Sequence, residues 1–312
     1  MQGLELSKRF YLNYGKPAIE KEFADVVDRI AVGLVGQGSE CFGFDDDISS
    51  DHDFEPGFCI WLTQDDYDSF GFRLERLYSK FPKEFEGYKR LTVSPVGGNR
   101  HGVMVIDDFY KSFLGSPDLP ISLEQWLYIP HEALATACNG EVFVDNLGKF
   151  SSIRNTLLLG YPQDVKLKKL AAHLVMMLQT GLYNYNRCIE RSENGAAQLC
   201  IFEFVKHTIS AIYLLNNEYE PFYKWAYRKM RGLKVLSSLE SSLVGLTELG
   251  NSELEAQAKS ESIEEICKLL VDELKKQGLS TADGYDLEKH SMYVQNKIGD
   301  PSLRNMHIME GI

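Results

Sequence analysis

The chain has 312 residues, with 33 Lys and Arg against 45 Asp and Glu for a formal net charge of −12, and 44% of its residues are hydrophobic. That length suggests about two domains, large enough to bury cores without disulfides or a structural metal. The acidic balance argues against a broad cationic footprint for duplex nucleic acid and puts small-molecule or protein partners first.

From Pro17 to Ile30 the apolar residues Ile19, Phe23, Val26, Val27 and Ile30 recur at helical spacing, with Pro17 in the first turn. A short apolar strand at Val32 to Val35 ends in Gly36, Gln37, Gly38 and Ser39. After an acidic stretch comes a strand at Phe58 to Leu62, then a helical pattern over Tyr67 to Phe81. Leu91 to Ser94 and Gly102 to Ile106, joined by Pro95, Gly97, Gly98 and Asn99, predict a hairpin, and Glu141 to Val144 predicts a further strand. Beyond Pro162 the pattern is helical over 164–190, 196–216, 221–248, 252–276 and 285–298, the first with a wide apolar face of Leu167, Leu170, Ala171, Leu174, Met177 and Leu178. The expected fold class is α/β (α+β), a mixed sheet with helices over residues 1–160 followed by a helical bundle over 161–312. The six cysteines, at 41, 59, 138, 188, 200 and 267, include no C-x-x-C spacing and are read as reduced thiols. The amino-terminal segment lacks the apolar core of a signal peptide, and no segment approaches the roughly 20 apolar residues of a membrane span. A cytoplasmic protein is expected.

Chemistry-bearing residues concentrate between Val35 and Phe54. Asp51 and Asp53 stand one residue apart before an apolar strand, so the two-residue period of extended chain points both carboxylates to one face. Such a pair suits a hard cation, because Mg²⁺ takes one or two carboxylates together with substrate phosphates. Upstream, Gly38 allows close backbone approach, and Ser39 with its neighbouring amides can hold a phosphate. Other motifs fail. Gly36 and Gly38 lack the third glycine of a dinucleotide fingerprint, since position 41 is Cys, and Gly43 is followed by Phe44 where a P-loop needs Lys. Calcium loops beginning at Asp45, Asp47 or Asp51 lack the sixth-position glycine and twelfth-position glutamate. His131-Glu132 has Ala135 where a zinc protease has its second histidine.

Gly38-Ser39, an eleven-residue spacer and Ser50-Asp51-His52-Asp53-Phe54 resemble the GS…SDxDh signature of the polymerase-beta-type nucleotidyltransferase superfamily. Members such as kanamycin nucleotidyltransferase and streptomycin adenylyltransferase follow this domain with a helical bundle. Val142 to Gly148 looks like the strand, Asp and Gly segment that closes the domain in antibiotic-modifying members. Leu215 to Trp225 looks like a bundle motif of a poorly characterised bacterial branch with a GSE…SDHDF signature. The resemblance implies transfer of NMP from an NTP, ATP foremost, to a hydroxyl-bearing acceptor, with a pair of Mg²⁺ ions held by Asp51 and Asp53. It also implies a third carboxylate on a neighbouring strand. Alignment by apolar alternation puts Met104 there, with Asp107 or Asp108 a turn of the pleat further on; Asp107 is the first candidate and Asp145 the second. Gly38 and Ser39 would hold the phosphate tail, joined from the bundle by Arg187, Lys206 and Lys224 in a cleft between the domains. No general base is evident on the first bundle helix.

Each reading has a plainer counterpart. Asp51 and Asp53 could extend a solvated acidic loop with Asp45 to Asp47, Ser39 could be a helix N-cap, and Asp145 could cap the turn that follows it. Lys206 and Arg187 could be solvated helix residues, and His52, His101 and His131 are read as structural. Two rival functions stand beside the enzyme: a catalytically inactive nucleotide-binding or interaction protein of the same fold, and a toxin-type modifier of protein or tRNA.

Overall fold

The computed structural model describes residues 2–46, 55–90, 100–120 and 122–312. It has the mixed α+β class expected, with a small mixed sheet and a helical carboxy-terminal region. Contacts divide it into two compact units, Met1–Pro120 with Ile129–Leu159, and Ile121–Tyr128 with Gly160–Ile312.

Unit 1 opens with helix α1 (Gly3–Phe10), which passes through a π-helical turn (Tyr11–Gly15) into α2 (Lys16–Glu22). A Cβ on Gly15 would lie 2.5 Å from the Phe58 ring, so the absent side chain lets helix and sheet approach. The helix predicted over Pro17 to Ile30 stops at Glu22. Phe23 leaves helical geometry and Val27–Arg29 forms a 3₁₀ turn, yet Phe23 and Ile30 still reach the core. Apolar spacing alone does not separate a helix from a turn that buries the same residues.

The sheet runs β5-β2-β1-β6, with β1 (Ala31–Leu34), β2 (Cys59–Leu62), β5 (Gly102–Val105) and β6 (Glu141–Val144). β1 is antiparallel to β2 and β6, while β5 lies parallel to β2 with Cys59 opposite Gly102 and Trp61 opposite Met104. β1 and β2 are buried at every position, which explains their unbroken apolar runs. Between Ser39–Phe42 (α3) and Gln64–Asp66 (α4) lies β2. α4 continues through a π turn (Tyr67–Gly71) into α5 (Phe72–Ser79), and β3 (Glu84–Phe85) pairs with β4 (Tyr88–Lys89). One face of the sheet carries an aromatic core in which Phe58 meets Phe10, Tyr11, Tyr78 and Phe81. On the other face Trp61 stacks at 3.9 Å on Phe150 of α9 (Lys149–Leu157), joined by Phe109 of α6 (Ile106–Leu114). α6 and α8 (His131–Cys138) fall where no helix was anticipated.

Unit 2 is helical. α10 (Gln163–Met177) runs through a π turn (Leu178–Asn184) into α11 (Tyr185–Glu190). Around α10 pack α7 (Leu123–Tyr128), α12 (Asn194–Leu215), α16 (Leu287–Asn296) and α17 (Pro301–Asn305). α12 is long and apolar enough to cross a membrane, but 67% of its apolar window is buried within the protein, the pattern of a core helix. The single helix predicted over 221–248 is broken into α13 (Tyr223–Met230) and α14 (Glu240–Glu248). Between them Leu236 takes a φ of +59°, and the Asn216 side chain both donates to the Val235 carbonyl (3.1 Å) and accepts from its N–H (3.0 Å). α15 (Glu253–Lys276) begins with a Ser252–Glu255 capping box, close to the predicted start.

A candidate binding cleft in unit 1

β1 ends at Leu34, and the turn beyond it places Gly36 at φ +124° and Gly38 at φ +129°, backbone that side-chain-bearing residues rarely adopt. Asn139 clamps the turn: its Oδ1 accepts from the Gly36 N–H and its Nδ2 donates to the Gly36 carbonyl, both at 2.8 Å. Asn139 is held in turn by Arg154, whose guanidinium donates to the carbonyls of Asn139 (3.1 Å) and Gly140 (2.8 Å). Two side-chain hydrogen bonds from Asn139 thus fix the glycine turn, and Arg154 holds the backbone that carries Asn139.

Gly38 has a second reason to be glycine. A Cβ there would run into the Arg100 guanidinium and lie 2.5 Å from both Glu40 carboxylate oxygens. Arg100 pairs with Glu40, the two side chains 19% and 6% exposed, and its Nε donates to the Gln37 carbonyl at 3.3 Å. The Cys59 thiol donates to the Arg100 carbonyl (3.2 Å) and the Cys41 thiol to the Gln37 carbonyl (3.6 Å). Burial pushes the Cys59 thiol up to about 12 and raises Cys41 well above its ordinary value, so both sulfurs stay protonated and are not nucleophiles.

Beside the turn lies a cleft of about 510 Å³. Residues 35–37 form one side, residues 103–105 of β5 another, and one face of α6 (Asp108, Phe109, Ser112, Phe113) a third, with Gln64 and Tyr67 completing it and Arg100 at its wall. Among the described lining residues Arg100 is the one cation and Asp108 the one carboxylate. The Tyr67 hydroxyl donates to Glu75 at 2.6 Å. That bond raises its pKa above the ordinary tyrosine value, with burial and the charges of Glu75 and Asp108 adding to it, so the group is a neutral donor.

Asp51, His52 and Asp53 lie outside the described residues, as does the Leu91 to Ser94 arm of the predicted hairpin. β2 begins at Cys59, and residues 55–58 leading into it are not strand. Gly38 and Ser39 flank the cleft without lining it, whereas Gly36 and Gln37 line it. Asp107 and Asp108 both sit exposed in the first turn of α6, and Asp108 is the one that lines the cleft. Asp145 caps α9, accepting from the N–H groups of Gly148 (2.9 Å) and Ser151 (2.7 Å). In unit 2, Arg187 lies over the Tyr183 ring at 5.5 Å, Lys206 pairs with Glu203 at 3.6 Å, and Lys224 lies over Trp225 at 5.3 Å. All three are exposed. His101 stands 2.9 Å from Glu55 and His131 3.4 Å from Glu132.

Among the described residues no group of three or more His, Cys, Asp or Glu side chains could hold a metal ion, and the described part of the cleft offers a single carboxylate. Arg100 and Asn139 carry the geometry of the cleft without a signal in the sequence, whereas Asp108 stands beside Asp107 as a sequence candidate. For Asp108 a signal existed: residues 108, 109, 112 and 113 share a face once the stretch is recognised as helix. For Arg100 and Asn139 the contacts are long-range and no local pattern points to them.

Fold and cleft define an α+β protein with a polar-ended pocket beside its sheet. A family model described as a domain of unknown function, DUF4037, matches residues 126–226, running from α7 through β6 and α9 of unit 1 into α13 of unit 2. No curated protein and no solved structure matches the chain.

Proposed function

We propose that the protein is a nucleotidyltransferase that binds an NTP, ATP foremost, at the unit 1 cleft and transfers NMP to the hydroxyl of an acceptor. The observation that carries the reading is the cleft itself. A glycine turn clamped by Asn139 opens on a pocket with a guanidinium at its wall and a lining that mixes aliphatic and aromatic side chains with Gln64, Tyr67, Asp108 and Ser112. A guanidinium fork suits phosphate oxygens, and Met104, Phe109 and Phe113 offer an apolar surface for a flat base. The Gly38-Ser39 and Asp51-x-Asp53 motif supports the same reading and supplies the carboxylates for Mg²⁺. When bound, the ion would offset charge on the polyphosphate and on the departing pyrophosphate. In that scheme the turn lets backbone approach the ligand, Arg100 holds phosphate charge, and the lining excludes water from the reacting end.

The test is direct. Incubation with radiolabelled ATP, Mg²⁺ and candidate acceptors should release pyrophosphate, and titration calorimetry should show ATP binding that Asp51→Asn or Asp53→Asn weakens. Binding identical in both variants would sink the proposal. One observation favours a second reading, an inactive nucleotide binder of the same fold: Met104 lines the cleft where the superfamily's third carboxylate is expected. Tight ATP binding without pyrophosphate release from any acceptor would select it.

A further inference from the structure

Arg100 lies two residues before β5, and Asp108 lies in the first turn of α6, which follows β5 directly. The strand therefore holds the cleft's cation and its carboxylate at opposite ends. Four strand residues at roughly 3.3 Å each separate them by on the order of 13 Å along the chain, comparable with the reach of a nucleotide from its phosphates to its base edge. Between them Val103 and Met104 on the strand and Phe109 and Phe113 on α6, their two rings edge-on at 5.2 Å, form an apolar strip, and Gln64, Tyr67 and Ser112 add polar groups to the lining.

We infer that this cleft reads its nucleotide in one direction and selects the base: Arg100 takes the phosphates, and Asp108 accepts a hydrogen bond from an exocyclic amino group at the other end. The inference rests on the nucleotide reading above and adds two specificity-determining residues to it. The reverse orientation would set phosphate against a carboxylate. An ionised carboxylate only accepts hydrogen bonds, so it favours the amino edge of adenine and opposes the carbonyl that hypoxanthine presents at the same position. Arg100 is suited to the phosphate end because Glu40 and the Gln37 carbonyl already hold its side chain, which lowers the ordering cost of binding.

The experiment is calorimetric titration of the full chain with Mg²⁺–ATP, Mg²⁺–ITP and inorganic triphosphate, comparing the natural sequence with Asp108→Ala and Arg100→Lys. Lysine keeps a cation beside the buried Glu40, and Arg100→Gln combined with Glu40→Gln provides a second variant that leaves no buried charge unpaired. Hydrogen bonds to charged groups correspond to about ten- to a hundredfold in affinity. ATP should therefore bind more tightly than ITP by about that factor. Asp108→Ala should erase the difference without weakening inorganic triphosphate, and Arg100→Lys should weaken all three ligands together by about tenfold or more. ATP binding with undiminished base discrimination in Asp108→Ala, or with unchanged affinity in both Arg100 variants, overturns this inference and leaves the nucleotide reading standing. No binding of any of the three ligands overturns both.

Discussion

In unit 1 the guanidinium of Arg100 stands at the wall of a cleft with its carboxylate partner, Glu40, buried beside it. In unit 2 the ammonium of Lys168 ends among backbone, donating to the carbonyls of His307 (2.6 Å) and Ile308 (3.1 Å). Lys259, fully buried, donates to Gln198 (2.9 Å) and Asn251 (3.1 Å). Burial lowers the Lys168 pKa to about 8, a cost offset by the carbonyls that accept its hydrogen bonds. Buried cations tie segments together in one unit, and a half-buried cation paired with a buried carboxylate edges a cavity in the other. A buried charge points to a binding site only when open space adjoins it.

The largest effect is expected at the proposed metal carboxylates: a metal supplies several kcal/mol of charge stabilisation, so Asp51→Asn or Asp53→Asn should lower NMP transfer by about a thousandfold or more, read as pyrophosphate release. Next is Trp61, fully buried and stacked on Phe150. Trp61→Ala should destabilise the chain by about 3–5 kcal/mol in urea unfolding, and a cost near zero would contradict the described core.

A buried pair in unit 2 predicts pH dependence. His207 Nδ1 lies 2.9 Å from His173 Nδ1, and its Nε2 lies 3.3 Å from Glu203. Burial foremost, then the charge of Lys206, lowers the His207 pKa to about 4 despite Glu203. Between the ordinary value near 6.5 and about 4 the unfolded chain binds more protons than the folded one. Stability should therefore fall as pH drops through that window, by up to about 3 kcal/mol, and level off below it. Thermal melts from pH 7 to pH 4 would check this, and His207→Gln should flatten the dependence.

Smaller effects follow at the turn and the surface. Gly38→Ala meets both a left-handed backbone and the Arg100–Glu40 pair, and should cost about 1–3 kcal/mol. Alanine at Arg187, Lys206 or Lys224, each exposed beside a local partner, should change stability by less than about 0.5 kcal/mol. A larger loss would show that these side chains tie unit 2 together as Lys168 does.

Much of the scaffold was legible because its elements are set locally. The Glu141 to Val144 strand matches its predicted span, and α12 and α15 lie within two residues of theirs, since long apolar periodicity and a capping box are local signals. The break between α13 and α14 was not legible, because it depends on Asn216 reaching Val235 from another helix. The cleft was legible only in part. Two positive-φ glycines mark a turn in any sequence, but Asn139 meets Gly36 across 103 residues, and Arg100 meets Glu40 across 60. Apolar alternation does not separate Asp107 from Asp108; on the helix that the stretch forms, Asp108 is the one that lines the cleft.

Hydrogen–deuterium exchange with and without Mg²⁺–ATP reports on the cleft residue by residue. Slower exchange is expected with nucleotide at residues 35–39 and 103–113, the backbone that builds the cleft beside β5. Protection confined to the helices of unit 2, or no protection at saturating nucleotide, would contradict nucleotide binding there.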